Sequence, residues 1–144
     1  MSHRPFHALA VLVAAIALAG CIERAPGSAA HTRQRPAAAS KYVVNSAVSP
    51  QVRNRAVFGG AIELIGYDLE PARVPLGETA TLTFYWKAIA EVDTQYKVFV
   101  HLDGRESQGR INGDHAPAEG RYLTDSWRPG EVIRDSIRFT VPGS

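Results

Sequence analysis

The chain has 144 residues, 45% of them apolar and 21% charged, with a formal net charge of +2. That profile suits one globular domain with extensions and excludes a fibrous or wholly disordered polymer. The charge is uneven. Residues 22–55 carry Arg24, Arg33, Arg35, Lys41, Arg53 and Arg55 against Glu23 alone, whereas residues 56–144 are net acidic. A nucleic-acid partner would need the basic charge on the folded domain, so no nucleic acid is expected.

Residues 1–7, MSHRPFH, carry Arg4 and no acid, and ALAVLVAAIALA (8–19) follows without one polar side chain. A basic start, a short apolar run and small residues at its exit predict a secretory signal over residues 1–20. The run is too short to span a bilayer comfortably, which takes about 20 residues. Cys21 is the single cysteine, so an exported chain could form no internal disulfide with it. The stretch LAGC, Leu18 to Cys21, resembles the lipobox of bacterial lipoproteins, the substrates of the type II signal peptidase. That resemblance implies cleavage between Gly20 and Cys21, a diacylglyceryl group on the Cys21 thiol and a further acyl chain, such as palmitate, on its amine. Two or more chains hold a protein on a membrane where one does so only marginally. By the same resemblance Ile22, in place of the Asp that favours inner-membrane retention, points to the outer membrane of a Gram-negative envelope, facing the periplasm or the surface. The plain alternative is an unmodified cysteine beside an uncleaved signal.

From Cys21 to about Arg55 the composition is rich in Ala, Pro, Arg and Ser. Such a segment buries too little surface to offset its ordering entropy, so residues 21–55 are expected to be a disordered tether. Within it KYVVNSAV is left open between a short strand and a helical turn.

Beyond residue 56 the period becomes two. TATLTFYWKA places Ala80, Leu82, Phe84 and Trp86 on one face and Thr79, Thr81, Thr83, Tyr85 and Lys87 on the other, as in a half-buried strand. YKVFVHLD predicts Tyr96, Val98, Val100 and Leu102 inward. VIRDSIRFTV predicts Ile133, Ile137, Phe139 and Val141 inward, with Asp135 on the same face at a wet end or beside a bulge. AIELIGYDLE breaks alternation, and Gly66 is where a bulge would restore it. PLGE and RPGE read as turns, the second of type II because Pro129 presets φ and Gly130 supplies a positive one. Asn112-Gly113 reads as a tight turn. Residues 56–144 are therefore expected to form an all-β antiparallel sandwich.

The segments IELIGYDLEPARVPLGETATLTFYWKA, YKVFVHLDG and GDHAPAEGRYLTDSWRPGEVIRDSIRFTVP resemble an immunoglobulin-like β-sandwich module found in bacterial envelope lipoproteins and appended to membrane glycosyltransferases or repeat proteins. The resemblance covers Val57 to Pro142. It implies no catalytic residues, and it implies one or two further strands after VPGS, so a truncated sandwich or an open last edge is expected.

Chemistry-bearing residues are sparse. His101, Asp103, Asp114 and His115 are weak metal candidates, with His101 and Asp103 off one strand face but at no known ligand spacing. No nucleophile elbow, paired carboxylate frame or phosphate loop occurs, so no enzyme activity and no cofactor are expected. Tyr122 and Trp127 flank LTDS and are the candidate ligand-binding pair, able to stack on a sugar; the plainer expectation is that Trp127 plugs the end of the sandwich beneath the Pro129 turn. Together these features predict a lipid-anchored, non-catalytic envelope protein that binds or scaffolds. The membrane would be held through Cys21, with an envelope protein or a surface polysaccharide as partner. The alternatives are a carbohydrate-binding module and, behind it, a metal-dependent hydrolase using His101 and His115.

Overall fold

A computed structural model of the chain describes residues 35–44, 46–103 and 109–143. The signal segment, Gly20, Cys21 and the rest of the expected tether up to residue 34 lie outside them. The described residues are all-β, with strands β1 (Val43–Val44), β2 (Val52–Phe58), β3 (Ile62–Glu70), β4 (Thr79–Ala88), β5 (His101–Asp103), β6 (Arg110–Asn112) and β7 (Val132–Thr140). Five of them form an antiparallel sheet in the order β1-β7-β4-β3-β2, and β5 pairs with β6. No helix among the described residues is long and apolar enough to cross a membrane.

The centre of the sheet follows from the period-two pattern. β4 pairs with β7 from Thr79↔Thr140 to Lys87↔Val132. Ala80, Leu82, Trp86 and Ala88 are buried on one face, with Ile133 beside them. On the wet face the hydroxyls of Thr79 and Thr140, and those of Thr83 and Ser136, meet at 2.9 Å, and the Tyr85 hydroxyl donates to Asp68 at 2.7 Å. Such cross-strand pairs each contribute about 0.2–1 kcal/mol.

Gly66 does what the broken alternation predicts. The β3–β4 register shifts between Leu64 and Gly66, which lets Ile62, Leu64 and Tyr67 oppose the inward-facing Ala88, Trp86 and Phe84. A Cβ at this position would collide with the Val52 carbonyl oxygen and crowd Pro50, so the close approach of β2 requires glycine. Both predicted turns form. Glu78 N–H donates to Pro75 O at 3.1 Å and Glu131 N–H to Arg128 O at 3.0 Å. Gly77 and Gly130 supply the positive φ of type II turns.

Three expectations need correction. The folded part begins by Arg35, not at residue 56. Ala39 and Tyr42 are buried in the core and Val43 and Val44 pair with Ile133 and Val132, after a 3-10 turn over Ala37–Lys41. An Ala-rich stretch reads as tether by composition, yet Ala39 is fully buried in the core cluster. Asn112-Gly113 does not turn back the chain. Gly113 N–H donates to Val100 O at 2.7 Å and Val98 bridges His115, continuing the β5–β6 ladder. The Asn112 side chain accepts the Asp114 N–H at 2.8 Å, a local Asx bond that mimics a turn signal in sequence. Tyr96 is 53% exposed rather than inward, because ladder pairing starts only at Val98 and nothing fixes the alternation before it.

The hairpin lies against the sheet. Gly113 sits so close to β7 that a Cβ on it would come within 2.7 Å of Ile137 Cδ1. Beyond Val132 and Ile133, which pair with β1, the outer edge of β7 has no strand partner among the described residues.

Candidate functional site

Five aromatic side chains, Phe58, Trp86, Tyr96, Phe99 and Trp127, line an open cleft of about 520 Å³. Gly59 and Gly60, both at positive φ, are the central residues of the turn in the three-residue connection from β2 to β3, with Ala61 N–H donating to Phe58 O at 3.1 Å. Only glycine pairs or Asn-Gly adopt that turn readily, and it leaves Phe58 at the strand end, 52% exposed. Trp86 comes from β4 and packs edge-on against Phe58, with ring centroids 6.0 Å apart. Phe99, 76% exposed, precedes β5. Trp127 follows the 3-10 turn Thr124–Ser126.

The indole N–H groups of both tryptophans point elsewhere. Trp86 Nε1–H donates to Asp135 Oδ2 at 3.3 Å and Trp127 Nε1–H to the Tyr122 carbonyl at 2.9 Å. The Thr124 hydroxyl, also in the lining, donates to Thr94 O at 2.6 Å and accepts the Tyr96 N–H at 2.8 Å. The cleft therefore meets indole hydrocarbon rather than indole N–H. Its charged groups, Glu91, Asp93 and Lys97, are exposed.

Behind Trp86 lies a polar hub that corrects the placement of Asp135. It sits neither at a wet end nor at a bulge: it opposes Phe84 in an unbroken ladder and is fully buried. A buried carboxylate requires donors, and it has three. Trp86 Nε1–H and His115 Nε2 reach Oδ2 at 3.3 and 2.8 Å, and Ala118 N–H reaches Oδ1 at 2.9 Å. His115 Nδ1 lies 2.6 Å from the Gly113 carbonyl, and its ring stacks on Phe84. Ala118 and Glu119 both hold positive φ, a conformation disfavoured for residues with a Cβ. The Asp135 contact to Ala118 helps to fix it.

The metal candidates separate. His115 turns inward to Asp135. His101 Nε2 lies 3.6 Å from Asp114 Oδ1, an oxygen that also accepts the Val100 N–H at 2.9 Å. Asp103 pairs with Arg110 at 2.8 Å, and the guanidinium's hydrogen bond holds the carboxyl's pKa below its ordinary value. Among the described residues no group of three or more His, Cys, Asp or Glu side chains could hold a metal ion.

Tyr122 and Trp127 do not make an exposed stacking platform. Tyr122 is fully buried; its hydroxyl lies 2.5 Å from Glu131 Oε2 and 3.0 Å from the Ser126 carbonyl, and burial pushes its pKa up. Glu131 in turn pairs with Arg35 and accepts the Arg128 N–H at 3.1 Å. Trp127 is 4% exposed and plugs this end of the fold, while part of its ring reaches the cleft. Phe58, Phe99 and Trp86 carry more of the site. Of these, Phe99 has a signal in the sequence, because the alternation of YKVFVHLD puts an aromatic ring on the wet face, a minor clue to an interaction surface that Tyr85 shares. No protein-family model matches the chain, and neither does any curated protein or solved structure.

Proposed function

We propose that this chain is a non-catalytic binding protein of the cell envelope. In this reading an immunoglobulin-like β-sandwich is tethered to the outer membrane through lipidated Cys21, and it takes its ligand in the aromatic cleft. The cleft carries the proposal. Phe58, Tyr96 and Phe99 are each more than half exposed around one open volume, which leaves contiguous apolar surface that the fold does not use. The sandwich reading is supported by the β5–β6 hairpin laid over the sheet at Gly113 and Ile137. The anchor is supported by LAGC at Leu18–Cys21 and would act by confinement, raising the effective concentration of any envelope partner.

With both indole N–H groups directed into the fold, the ligand chemistry that fits is an apolar or aromatic group, such as a side chain of an envelope protein. A surface polysaccharide is the second reading, favoured by one observation: Trp127 lines the cleft together with Glu91 and Asp93. Metal-assisted hydrolysis finds no support in His115, whose ring is held by Asp135.

Both tryptophans of the chain, Trp86 and Trp127, line the cleft, so intrinsic fluorescence reports on its occupancy. Titrating the full chain with the neutral aromatic dye N-phenyl-1-naphthylamine should quench indole emission saturably, whereas soluble oligosaccharides should not. Quenching by oligosaccharides alone selects the second reading, and no response to either overturns the site. For the anchor, Cys21→Ser should move the protein from the membrane fraction to the soluble one. Unchanged sedimentation overturns lipidation.

A further inference from the structure

We propose that His115 is a proton-operated latch on one wall of the cleft: as an imidazolium it pins the hairpin bearing Val98 and Phe99 to Asp135, and loss of its proton frees that wall. The latch's role in binding rests on the cleft being the ligand site; its existence does not.

The charge state follows from hydrogen-bond chemistry. A neutral imidazole has one N–H donor and one acceptor nitrogen, and only the cation donates from both. His115 Nδ1 faces the Gly113 carbonyl at 2.6 Å, an oxygen that can only accept. Nε2 faces Asp135 Oδ2 at 2.8 Å. Asp135 already receives N–H groups from Trp86 and Ala118, so its oxygens serve as acceptors. Both ring nitrogens thus meet acceptors, and the doubly protonated ring satisfies both.

The surroundings on every packed element agree. From β7 comes the Asp135 carboxylate. From β4 come the Trp86 N–H and the Phe84 ring, whose centroid stacks 6.4 Å from that of His115. From the turn that follows comes the Ala118 N–H. On its own segment Asp114 adds a second negative charge, and His101 stands beyond it at 3.6 Å. Burial alone would lower the His115 pKa, but the Asp135 hydrogen bond, the Gly113 carbonyl and the two carboxylate charges outweigh it and raise the pKa above 6.5.

The backbone carries the effect to the cleft. Val98 N–H donates to His115 O at 2.9 Å and His115 N–H to Val98 O at 3.0 Å. Val98 and Phe99 are cleft wall. Once the ring is neutral, one nitrogen lone pair must face a carbonyl or a carboxylate, and Asp135 is left buried without its counter-charge. A pKa raised on folding gives stability that is fully present below the unfolded value and is lost as pH rises through the folded one. The wall is therefore latched below about pH 6.5 and loosens as pH rises above that, through the folded value. Between the two values the folding constant falls by up to about tenfold per pH unit.

The test uses the full chain, uniformly ¹⁵N-labelled and followed by NMR through that range. His115→Gln separates its signals from those of the other four histidines. Two ring N–H signals are expected for His115 at pH 6, with a midpoint above 6.5. From about pH 6.5 up to that midpoint the protection factor of the Val98 amide, corrected for intrinsic exchange, should fall by up to about tenfold per pH unit and level off above it. A lone-pair nitrogen signal at pH 6, a midpoint at or below 6.5, or Val98 protection that ignores the His115 midpoint each overturns the latch. The wild-type ring shifts and protection factors decide the matter even if the variant fails to fold. Dye quenching that is absent at every pH sinks the cleft as ligand site and leaves these two readouts intact.

Discussion

Trp86 stands between two regions built on opposite principles. On one side its indole N–H enters the hub around Asp135, where a buried carboxylate, an imidazole and a strained turn satisfy one another. On the other side its ring borders a cleft whose aromatic neighbours Phe58, Tyr96 and Phe99 remain open to water. The first region is polar and closed; the second is apolar and open. The two are linked, because the hub takes up the donor that would otherwise make the cleft polar. A ligand site of low polarity is thus partly a by-product of how the core hydrogen-bonds itself.

The sharpest way to break this comparison is to empty the hub. Asp135→Ala would leave the His115 imidazolium, the Trp86 N–H and the Ala118 N–H without their acceptor in a dry interior. Removing one member of a buried charge pair costs about 3–5 kcal/mol. Urea unfolding of the variant at pH 6 should show a loss of that size, a large share of a small domain's stability. A loss below about 1 kcal/mol would mean that water reaches Asp135 and that the hub is not closed. Next in size is Tyr122→Phe, which removes the hydroxyl beside Glu131 while keeping the buried ring. Hydrogen bonds to charged groups contribute about 1.5–3 kcal/mol, and Arg35 still pairs with Glu131, so a loss of about 1.5 kcal/mol is expected by the same assay. Dye binding should persist, since Tyr122 is not part of the cleft lining.

Much of this architecture is legible in the sequence where the signal is local. The alternation of β4 and β7, the Gly66 bulge and the Pro75 and Pro129 turns each depend on neighbours within a few residues, and each forms as read. The hub escapes because its members are far apart: Asp135 meets Trp86 across 49 positions and His115 across 20, and a lone Asp in an apolar period looks like an exception. The cleft escapes for the same reason, as its rings come from Phe58, Trp86, the 96–99 segment and Trp127. The start of the folded part escapes for another. Ala39 is a core residue, and composition counts small residues as linker.

The smallest stability effect is also the most direct probe of the open region. Phe99 is 76% exposed, and surface substitutions away from caps and buried polar groups usually stay within ±0.5 kcal/mol. Phe99→Ser should therefore leave the urea midpoint nearly unchanged. Occupancy of the cleft is another matter. A ring that ligand covers contributes through the apolar area removed from water, about 25 cal/mol per Å², so covering roughly 60 Å² of Phe99 corresponds to about 1.5 kcal/mol, or roughly tenfold in dye affinity. An unchanged midpoint with dye affinity weakened about tenfold is the expected pair of results. If stability falls instead, Phe99 supports the fold despite its exposure. If neither quantity moves, the dye and any ligand like it sit on the Phe58 and Trp127 side, and the hairpin does not form a wall of the binding site.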